Sequence, residues 1–368
     1  MDRQLIWAIK AQSISNTRKN LLELSKKQDL FDVSVIDTGS DEYKQTVISF
    51  DKARNSGVSI VTYIDKEYPA RLKNIPSPPA LLYVKGNVSI LKDTVFVGMV
   101  GARDSDDYGL RITEALACEI GETGIGIISG GAKGTDAASH RGALRASAPT
   151  VAVLGSGLDR LYPKENIALF EKIVEKGGAI ITEYPFGTEP LHYNFPRRNR
   201  IIAGLSSALI VTRAAHRSGS LITASQALEQ GISVYAVPGN IDNKLSGGTN
   251  ALIKDGAIPL LSAMDVIDEL IERDPDFFVR KMDEREREAE EIQMTRKPAP
   301  KQNLNLDGLS SYEKEIVDII VSGASTPNLI EEKISFGAER LTALLGMMEI
   351  KGIIKKTPDK RYILTKGG

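Results

Sequence analysis

The sequence predicts an α/β protein built on an extended, Rossmann-like, doubly wound parallel sheet. Three observations lead to this prediction. Short apolar runs recur from about residue 94 onward, helical stretches separate them, and a glycine-containing loop follows nearly every run. Apolar runs that alternate with helices in this way indicate a parallel sheet covered on both faces. We further expect a helical N-terminal domain before this sheet and a winged-helix domain after it.

The composition limits the classes of protein to which the chain can belong. With 368 residues, 42% of them hydrophobic and 26% charged, it has room for two or three soluble domains. Its net charge of −1 means that any nucleic-acid binding must come from a local basic patch. Cys118 is the single cysteine, which excludes an intrachain disulfide and favours a reducing compartment. Without a signal-like start or an apolar run of membrane length, we expect a cytoplasmic protein with no membrane partner.

Taken in order, the chain begins with helices. Residues 1–57 carry leucine and isoleucine at helical spacing, which predicts a helical N-terminal domain. Residues 58–273 follow as the predicted Rossmann domain. It opens with strands at Val58–Tyr63 and Leu81–Gly86, and a proline-punctuated, extended connector over residues 68–79 joins them.

The centre of the Rossmann domain contains six more predicted strands and the helices between them. Each run is apolar and has the length of a buried strand. The strands are Val95–Val100, Ile125–Ile128, Thr150–Leu154, Ala179–Thr182, Ala208–Thr212 and Ser233–Val237. The helices include Tyr108–Ile120, Asp136–Arg145, Lys164–Lys176 and Leu221–Gln230.

The C-terminal part of the chain changes character twice. Residues 274–308 combine a mixed-charge run with prolines, which predicts a linker that is partly helical or disordered. Residues 309–368 then form a small domain with two strands around the Pro358-Asp359 turn. Its three predicted helices are Tyr312–Val321, Pro327–Lys333 and Ala338–Lys351. Three helices followed by a hairpin are typical of a winged helix.

The partner of this winged helix stays open. Between residues 351 and 366, six Lys or Arg residues stand against one acidic residue, so the hairpin could meet DNA phosphates. Small winged helices also serve as protein-docking modules. Duplex DNA and a protein are therefore both candidate partners.

The loops after the strands carry the clearest functional signal. In an open parallel sheet, ligands bind beyond the C-terminal ends of the strands. At these places the chain repeats glycines, hydroxyls and cations, among them Gly130-Gly131 with Lys133, and Ser218 with Ser220. Glycines allow close backbone approach, amides and hydroxyls bind phosphate oxygens, and cations neutralise charge. Their recurrence predicts an extended site for a polyanion.

An arginine-rich stretch adds to this site. Arg197, Arg198 and Arg200 lie within four positions, directly after Pro196, which can open a helix. A helix start that combines its dipole with several guanidinium groups is a natural seat for phosphate. The nearby aromatic residues that could stack on bases are Phe186, Tyr193 and Phe195, with core packing favoured for the last.

No catalytic or metal-binding arrangement stands out in the sequence. The three histidines, His140, His192 and His216, lack metal-ligand spacing, and we expect neither a metal nor a cofactor. Glu183 and Asp159 could form an acid–base pair, yet nothing in their spacing couples them. The glycine loops match neither a P-loop nor a complete dinucleotide fingerprint. The residues therefore favour a binding protein over an enzyme.

Six motifs follow one another along the chain: Gly101-Ala102-Arg103, Ser129–Asp136, Gly157–Asp159 with Tyr162-Pro163, Asn194–Ser206, Ser218–Ala224 and Ala236–Gly239. Together these motifs resemble the family of the DNA-processing protein DprA, also called Smf. The resemblance spans about residues 58–270, and the motifs occur in the family's order. It implies a bacterial protein that binds single-stranded DNA, forms a homodimer through its Rossmann domain, protects DNA imported in natural transformation and loads the RecA recombinase onto it.

The resemblance also implies roles for individual residues. By motif, Arg103 would bind a DNA phosphate, and Lys164 and Asn166 would line the same pocket. Gly130 and Gly131 would present backbone amides to the DNA. The three arginines after Pro196 would extend the basic surface.

Two positions depart from the family pattern. Arg213 stands where an acidic residue is usual, which puts the local ion pairing in doubt, and Thr135 replaces a usual isoleucine before Asp136.

Two other functions stay open on the same scaffold. One is a nucleotide phosphoribohydrolase-like enzyme, although the glutamate of its loop is missing from this chain. The other is a nucleotide sensor that signals through the winged helix.

Overall fold

The chain forms two compact units, Met1–Glu286 and Arg287–Gly368. The computed structural model describes residues 2–12, 14, 17–281, 283, 287, 309–322, 326–357 and 361–365. Most of the predicted linker and the Pro358-Asp359 turn lie outside these residues. The predicted boundaries of the four segments stay predictions.

A nine-stranded sheet organises the first unit. Seven neighbouring strands run parallel, and β1 and β2 form an antiparallel pair that joins β6 at one edge. The spatial order is β1-β2-β6-β5-β4-β3-β7-β8-β9. The strands are β1 (Ser59–Thr62), β2 (Leu81–Gly86), β3 (Phe96–Val100), β4 (Gly126–Ser129), β5 (Thr150–Val153), β6 (Ala179–Thr182), β7 (Ser206–Val211), β8 (Ser233–Ala236) and β9 (Ile258–Pro259). The predicted α/β fold is confirmed.

Helices cover both faces of this sheet. Strands β3 to β7 are therefore buried along their whole length. Those before β3 are α1 (Arg3–Gln12), α2 (Arg18–Ser25), α3 (Asp41–Asn55), α4 (Ala70–Lys73) and α5 (Ile90–Asp93). Those after it are α6 (Asp107–Gly121), α7 (Thr135–Arg145), α8 (Ile167–Glu175), α9 (Asn194–Leu205), α10 (Gly219–Glu229), α11 (Gly247–Lys254) and α12 (Met264–Arg273).

The N-terminal helices share a hydrophobic core with the sheet. Trp7 of α1 is fully buried, stacks on Tyr63 with ring centroids 5.9 Å apart, and donates a hydrogen bond from Nε1 to the carbonyl of Ala80 at 2.7 Å. Leu21 of α2 belongs to the same buried cluster as Val153 of β5. The described part of residues 1–57 thus contains three helices, as predicted, and packs as part of the first unit.

Two local predictions were wrong. The connector over residues 68–79, predicted as extended, contains the single helical turn α4 directly after Pro69. Proline is tolerated beside a helix start because its missing N–H has no partner to lose there. Helix α9 begins at Asn194 rather than at Pro196, so Pro196 lies within the first turn, where N–H groups have no intrahelical acceptor.

The second unit contains helices α13 (Ser311–Val321), α14 (Pro327–Glu331) and α15 (Ala338–Ile350). An antiparallel pair follows, β10 (Ile354–Lys356) and β11 (Tyr362–Leu364). Its core includes Ile316, Leu341 and Met348. Three helices and two strands appear in the predicted order, and the assignment as a winged helix stays a prediction.

We expect the second unit to lose stability in acid because of Glu313. This side chain accepts hydrogen bonds from Lys351 Nζ at 2.7 Å and from the Ser310 N–H at 2.8 Å, and these contacts lower its pKa to about 2. Since the folded pKa lies below the ordinary value of 4.5, this stabilisation is complete above about pH 4.5 and disappears as the pH falls toward 2.

Replacing Glu313 with Gln should remove this pH dependence and weaken α13 at neutral pH. Hydrogen–deuterium exchange over residues 311–321, corrected for the intrinsic exchange rate, should show faster exchange at pH 7 in the variant. Asp318→Asn is the control, since Asp318 is exposed on the same helix. Equal exchange in wild type and Glu313→Gln would contradict the prediction.

Candidate nucleic-acid interface

Loops at the carboxyl ends of β3, β4 and β5 meet the first turn of α9 around a cavity of about 50 Å³. The strands place them together because parallel strands direct their carboxyl ends to the same edge of the sheet. The lining residues are Arg103, Gly130, Ala132, Lys133, Gly155, Tyr162, Pro163, Phe195 and Arg198. Four of the predicted site residues are thereby brought together.

Exposed cations lie in the cavity lining, as Arg103 does, or next to a lining residue in the chain, as Lys164 and Arg197 do. Arg103, Lys164 and Arg197 are exposed, and in the described part of the chain none of the three forms an ion pair with a carboxylate. Lys133 is also exposed, but its Nζ lies 2.6 Å from Glu165 Oε1. The hydrogen bond to Glu165 raises the pKa of Lys133, so this lysine stays charged. Three cations are therefore available to an anionic ligand.

Arg198 lies beneath the cavity instead of on the surface. Its side chain is buried, and Nη1 donates to the carbonyls of Gly130, at 2.6 Å, and Val153. Burial lowers its pKa to about 10, while the nearby Asp136 carboxylate favours the charged form, so the guanidinium stays positive at neutral pH. The group that the sequence placed on a basic surface thus holds the ends of β4 and β5 together.

Two further buried side chains fix the glycine loop after β4. Asp136 Oδ2 accepts the backbone N–H of Ala132 at 3.2 Å. Burial raises the pKa of Asp136, and Arg198 and this hydrogen bond oppose the shift. Asn166 donates from Nδ2 to the carbonyls of Gly131 at 2.9 Å and Ala132 at 3.0 Å. The Asn166 amide, predicted to line the pocket, is therefore engaged with the loop itself.

Glycine is required at the predicted positions of this loop. A Cβ on Gly130 would lie 2.6 Å from Arg198 Nη2 and 2.6 Å from Asp136 Oδ2. Gly131 has a φ of +67° and Gly134, at the start of α7, a φ of +72°, a region that favours glycine. The loop can pass close to a ligand because it carries no side chain at these points.

Arg200 is part of an internal ion pair. Its Nη1 and Nη2 lie 2.6 Å from the two carboxylate oxygens of Glu183, and its Nε donates to the Ser77 carbonyl at 2.8 Å. The pair is mostly buried. Of the three arginines predicted to form one basic surface, Arg197 alone is exposed. Glu183, a weak candidate for an acid–base pair, serves instead to hold α9.

The aromatic residues predicted to stack on bases lie in different places in the structure. Phe186 packs on Tyr83 in the core, with ring centroids 6.1 Å apart. Phe195 lines the cavity, with the Arg103 guanidinium 5.1 Å from its ring centroid and the Tyr162 ring 5.9 Å away. Tyr162 was not singled out as an aromatic candidate from the sequence, although its place before Pro163 in a strand-end loop was a usable signal. The favoured core role of Phe195 thus gives way to a position at the site.

Ser218 and Ser220 lie apart from the cavity lining. Ser218 is the N-cap of α10 and accepts the N–H of Ser220 at 3.4 Å, so its hydroxyl has a local structural role. Helix α10 runs beside α9, where Gln226 donates to the carbonyl of Pro196 at 3.5 Å. A DNA contact at these two serines stays a prediction.

Arg213 occupies the crevice between β3 and β7, where the strand order reverses. It is buried, contacts both carboxylate oxygens of Asp106 at 3.1 and 2.9 Å, donates to Ser246 Oγ at 2.6 Å and lies 4.7 Å from the Tyr108 ring centroid. The inverted charge at this position is therefore paired internally.

The described residues contain no group of His, Cys, Asp and Glu side chains that could hold a metal ion. His140 is buried on α7, its Nδ1 contacts Thr150 Oγ1 at 2.7 Å, and burial lowers its pKa to about 3. Among the helices that the structure describes, none is long and apolar enough to cross a membrane.

Comparison with known proteins assigns the family. Residues 59–271 match the profile of the family described as DNA recombination-mediator protein A. The chain belongs to this family. The match covers all nine strands of the sheet, and it includes the cavity and every loop around it.

Named relatives and solved structures agree with this assignment. DNA processing protein DprA of Bacillus subtilis is 41% identical over 60% of this chain and 74% of its own length. Protein Smf of Escherichia coli is 41% identical over 55% of this chain and 54% of its own length. The structure of DprA from Streptococcus pneumoniae superposes with a TM-score of 0.60 at 35% identity, covering 73% of this chain and 98% of that one. DprA from Helicobacter pylori, whose structure addresses its single-stranded DNA binding mode, gives a TM-score of 0.53 at 28% identity, covering 59% of this chain and 96% of that one.

Proposed function

We propose that this protein binds single-stranded DNA by its phosphate backbone at the cavity and loads the RecA recombinase onto the bound strand. The observation that carries the proposal is a set of exposed cations that have no carboxylate partner in the described part of the chain. Arg103 lines the cavity, and Lys164 and Arg197 are the chain neighbours of two of its lining residues. Guanidinium and ammonium groups that are free of carboxylates can neutralise phosphates and release counterions. The single-stranded DNA binding mode reported for the Helicobacter pylori relative supports the same ligand.

The buried polar groups give this binding site its shape. Arg198, Asp136 and Asn166 hold the glycine loop, so its backbone is ordered before a strand arrives. Phe195 and Tyr162 offer apolar ring surface beside Arg103. A base can stack on such a surface whatever its sequence, which contributes about 1–3 kcal/mol per base. We therefore propose binding without strong sequence preference.

Replacing Arg103 with Ala should weaken binding of labelled oligothymidylate by about tenfold or more, because the variant can no longer neutralise a phosphate beside the Phe195 ring. Fluorescence anisotropy at several salt concentrations should show a log–log salt slope reduced by roughly 0.7. A matching duplex should bind more weakly than the single strand to the wild-type protein.

Arg111→Ala is the control for the removal of one exposed arginine, since Arg111 lies on α6 outside the cavity. Unchanged affinity in Arg103→Ala would exclude the cavity as the DNA site. Tight binding of a mononucleotide without binding of oligonucleotides, or release of base from AMP, would replace the proposal with the nucleotide-sensor or phosphoribohydrolase function.

The remaining parts of the proposal concern assembly. We propose a homodimer that acts by binding rather than by catalysis, in DNA recombination and natural transformation. RecA loading is tested by the rate of RecA filament formation on single-stranded DNA with wild type and with Arg103→Ala. Filament formation that the wild-type protein does not accelerate would contradict the loading step and leave DNA binding untouched.

A further inference from the structure

A chain of direct contacts leads away from the cavity within the first unit and joins two exposed arginines. Arg200 Nη1 donates to the carbonyl of Arg197 at 3.1 Å, and Arg200 Nε donates to the carbonyl of Ser77 at 2.8 Å. The next carbonyl, that of Pro76, accepts the backbone N–H of Arg18 at 3.0 Å. The exposed Arg197 beside the cavity is therefore joined, through a mostly buried arginine and two connector residues, to the start of α2.

The far end of this chain carries cations of its own. Arg18 is exposed and its Nη2 donates to Asn74 Oδ1 at 3.1 Å. The adjacent Lys73 is half-buried, and its Nζ lies 5.2 Å from the Tyr63 ring centroid and 5.8 Å from that of Tyr68. The two aromatic rings are buried beneath the ammonium group, so they orient it without competing for its charge.

Carboxylates do not neutralise these cations. In the described ranges, Arg18, Lys73 and Arg197 form no ion pair within 4.0 Å. Glu183, the carboxylate that lies along this path, is occupied by both terminal nitrogens of Arg200. Proteins bind the backbone of an extended single strand through a positively charged groove that follows it.

We propose that a bound single strand continues from the cavity over the connector to the start of α2, with phosphates of the strand at Arg197, Arg18 and Lys73. This proposal rests on the proposed function, because the cavity supplies the first contacts. The partner is the phosphodiester backbone alone, since the rings beside Lys73 are buried and cannot stack on bases. The N-terminal helices thereby gain a role in DNA binding beyond their packing on the sheet.

Oligothymidylates of two lengths test the extension. One of about six nucleotides is long enough to contact only the loops around the cavity, and one of about twenty exceeds the site sizes of about 4–16 nucleotides known for single-strand binding domains. In the double variant Arg18→Gln/Lys73→Gln, affinity for the short strand should stay within about twofold. Affinity for the long strand should fall, with its log–log salt slope reduced by about 1.4, or roughly 0.7 for each phosphate that is no longer neutralised.

Two control variants separate charge from structure. Lys52→Gln/Lys92→Gln removes two exposed lysines near the starts of β1 and β3. These strand starts lie opposite to the carboxyl ends that form the cavity, so the affinities for both oligonucleotides should stay unchanged. Arg18→Lys/Lys73→Arg keeps both charges and should retain the affinity for the long strand. Failure of this charge-preserving variant to bind the long strand would overturn the extension, because shape rather than charge would then explain the effect.

An unchanged salt slope and affinity for the long strand in Arg18→Gln/Lys73→Gln would also overturn it. Loss of affinity for the short strand as well, in a variant with an unchanged melting temperature, would also overturn the extension, because the two cations would then belong to the cavity. Failure of the proposed function looks different, since Arg103→Ala would then leave both strand lengths bound as in wild type.

Discussion

Arg198→Ala should lose both stability and DNA binding. The substitution leaves the carbonyls of Gly130 and Val153 without their donor and removes the positive charge beside the buried Asp136. Removing one partner of a buried charged arrangement lowers the free energy of unfolding by about 3–5 kcal/mol. The loop after β4 would no longer be held in place, so binding of oligothymidylate should fall below detection even where the variant is folded.

Arg197→Ala is the matched control for Arg198→Ala. Arg197 differs from Arg198 in being exposed, with its guanidinium 5.7 Å from the Tyr193 ring centroid. Arg197→Ala should change the free energy of unfolding by about 0.5 kcal/mol or less and reduce the salt slope of binding by roughly 0.7. Urea denaturation and anisotropy of both variants check these expectations. Equal stability of the two variants would show that Arg198 does not support the loop.

Gly134→Ala should be the most damaging single-methyl change near the site. A Cβ at this position would lie 2.3 Å from the carbonyl oxygen of Arg103 and 2.4 Å from that of Ala102. Both contacts are with backbone, so side-chain rotation cannot relieve them, and the φ of +72° is itself unfavourable for alanine. The loop that carries Arg103 must move, so we expect destabilisation of more than about 2 kcal/mol and at least tenfold weaker DNA binding.

Gly177 separates the two causes of this effect. Its φ is +80°, close to that of Gly134, but a Cβ there would meet nothing within 4 Å. Gly177→Ala should therefore show the backbone strain alone, about 1 kcal/mol, and should bind DNA as wild type does. Thermal melting and oligothymidylate anisotropy measure both quantities. A Gly134→Ala variant that behaves like Gly177→Ala would indicate that the Arg103 loop tolerates displacement.

These variants show what each kind of sequence signal could reveal. The six central strands were predictable because a parallel sheet buried on both faces requires short, continuous apolar runs, as in Ala179–Thr182. The place of the site was predictable for a related reason, since parallel strands bring their following loops to one edge. The glycines at positions 130, 131 and 134 were visible as a motif for the same loop.

The roles of the arginines could not be predicted in this way. In the sequence, Arg197, Arg198 and Arg200 are three similar charges within four positions. On a helix, neighbouring positions point in different directions, so one side chain faces solvent, one enters the space under β4 and β5, and one meets Glu183. Asn166 and Asp136 are likewise polar residues whose hydrogen-bond partners, the loop carbonyls and N–H, come into reach only when the chain is folded.

The sequence by itself determined the α/β fold, the edge of the sheet where the loops gather and the family to which the motifs belong. The tertiary structure decided which cations remain free for a ligand, because burial and ion pairing depend on the segments that fold against each side chain. It also placed Arg213 in the crevice between β3 and β7 and joined Arg197 to Arg18 across the connector. The sequence shows which residues are charged, whereas the fold decides which of those charges a ligand can reach.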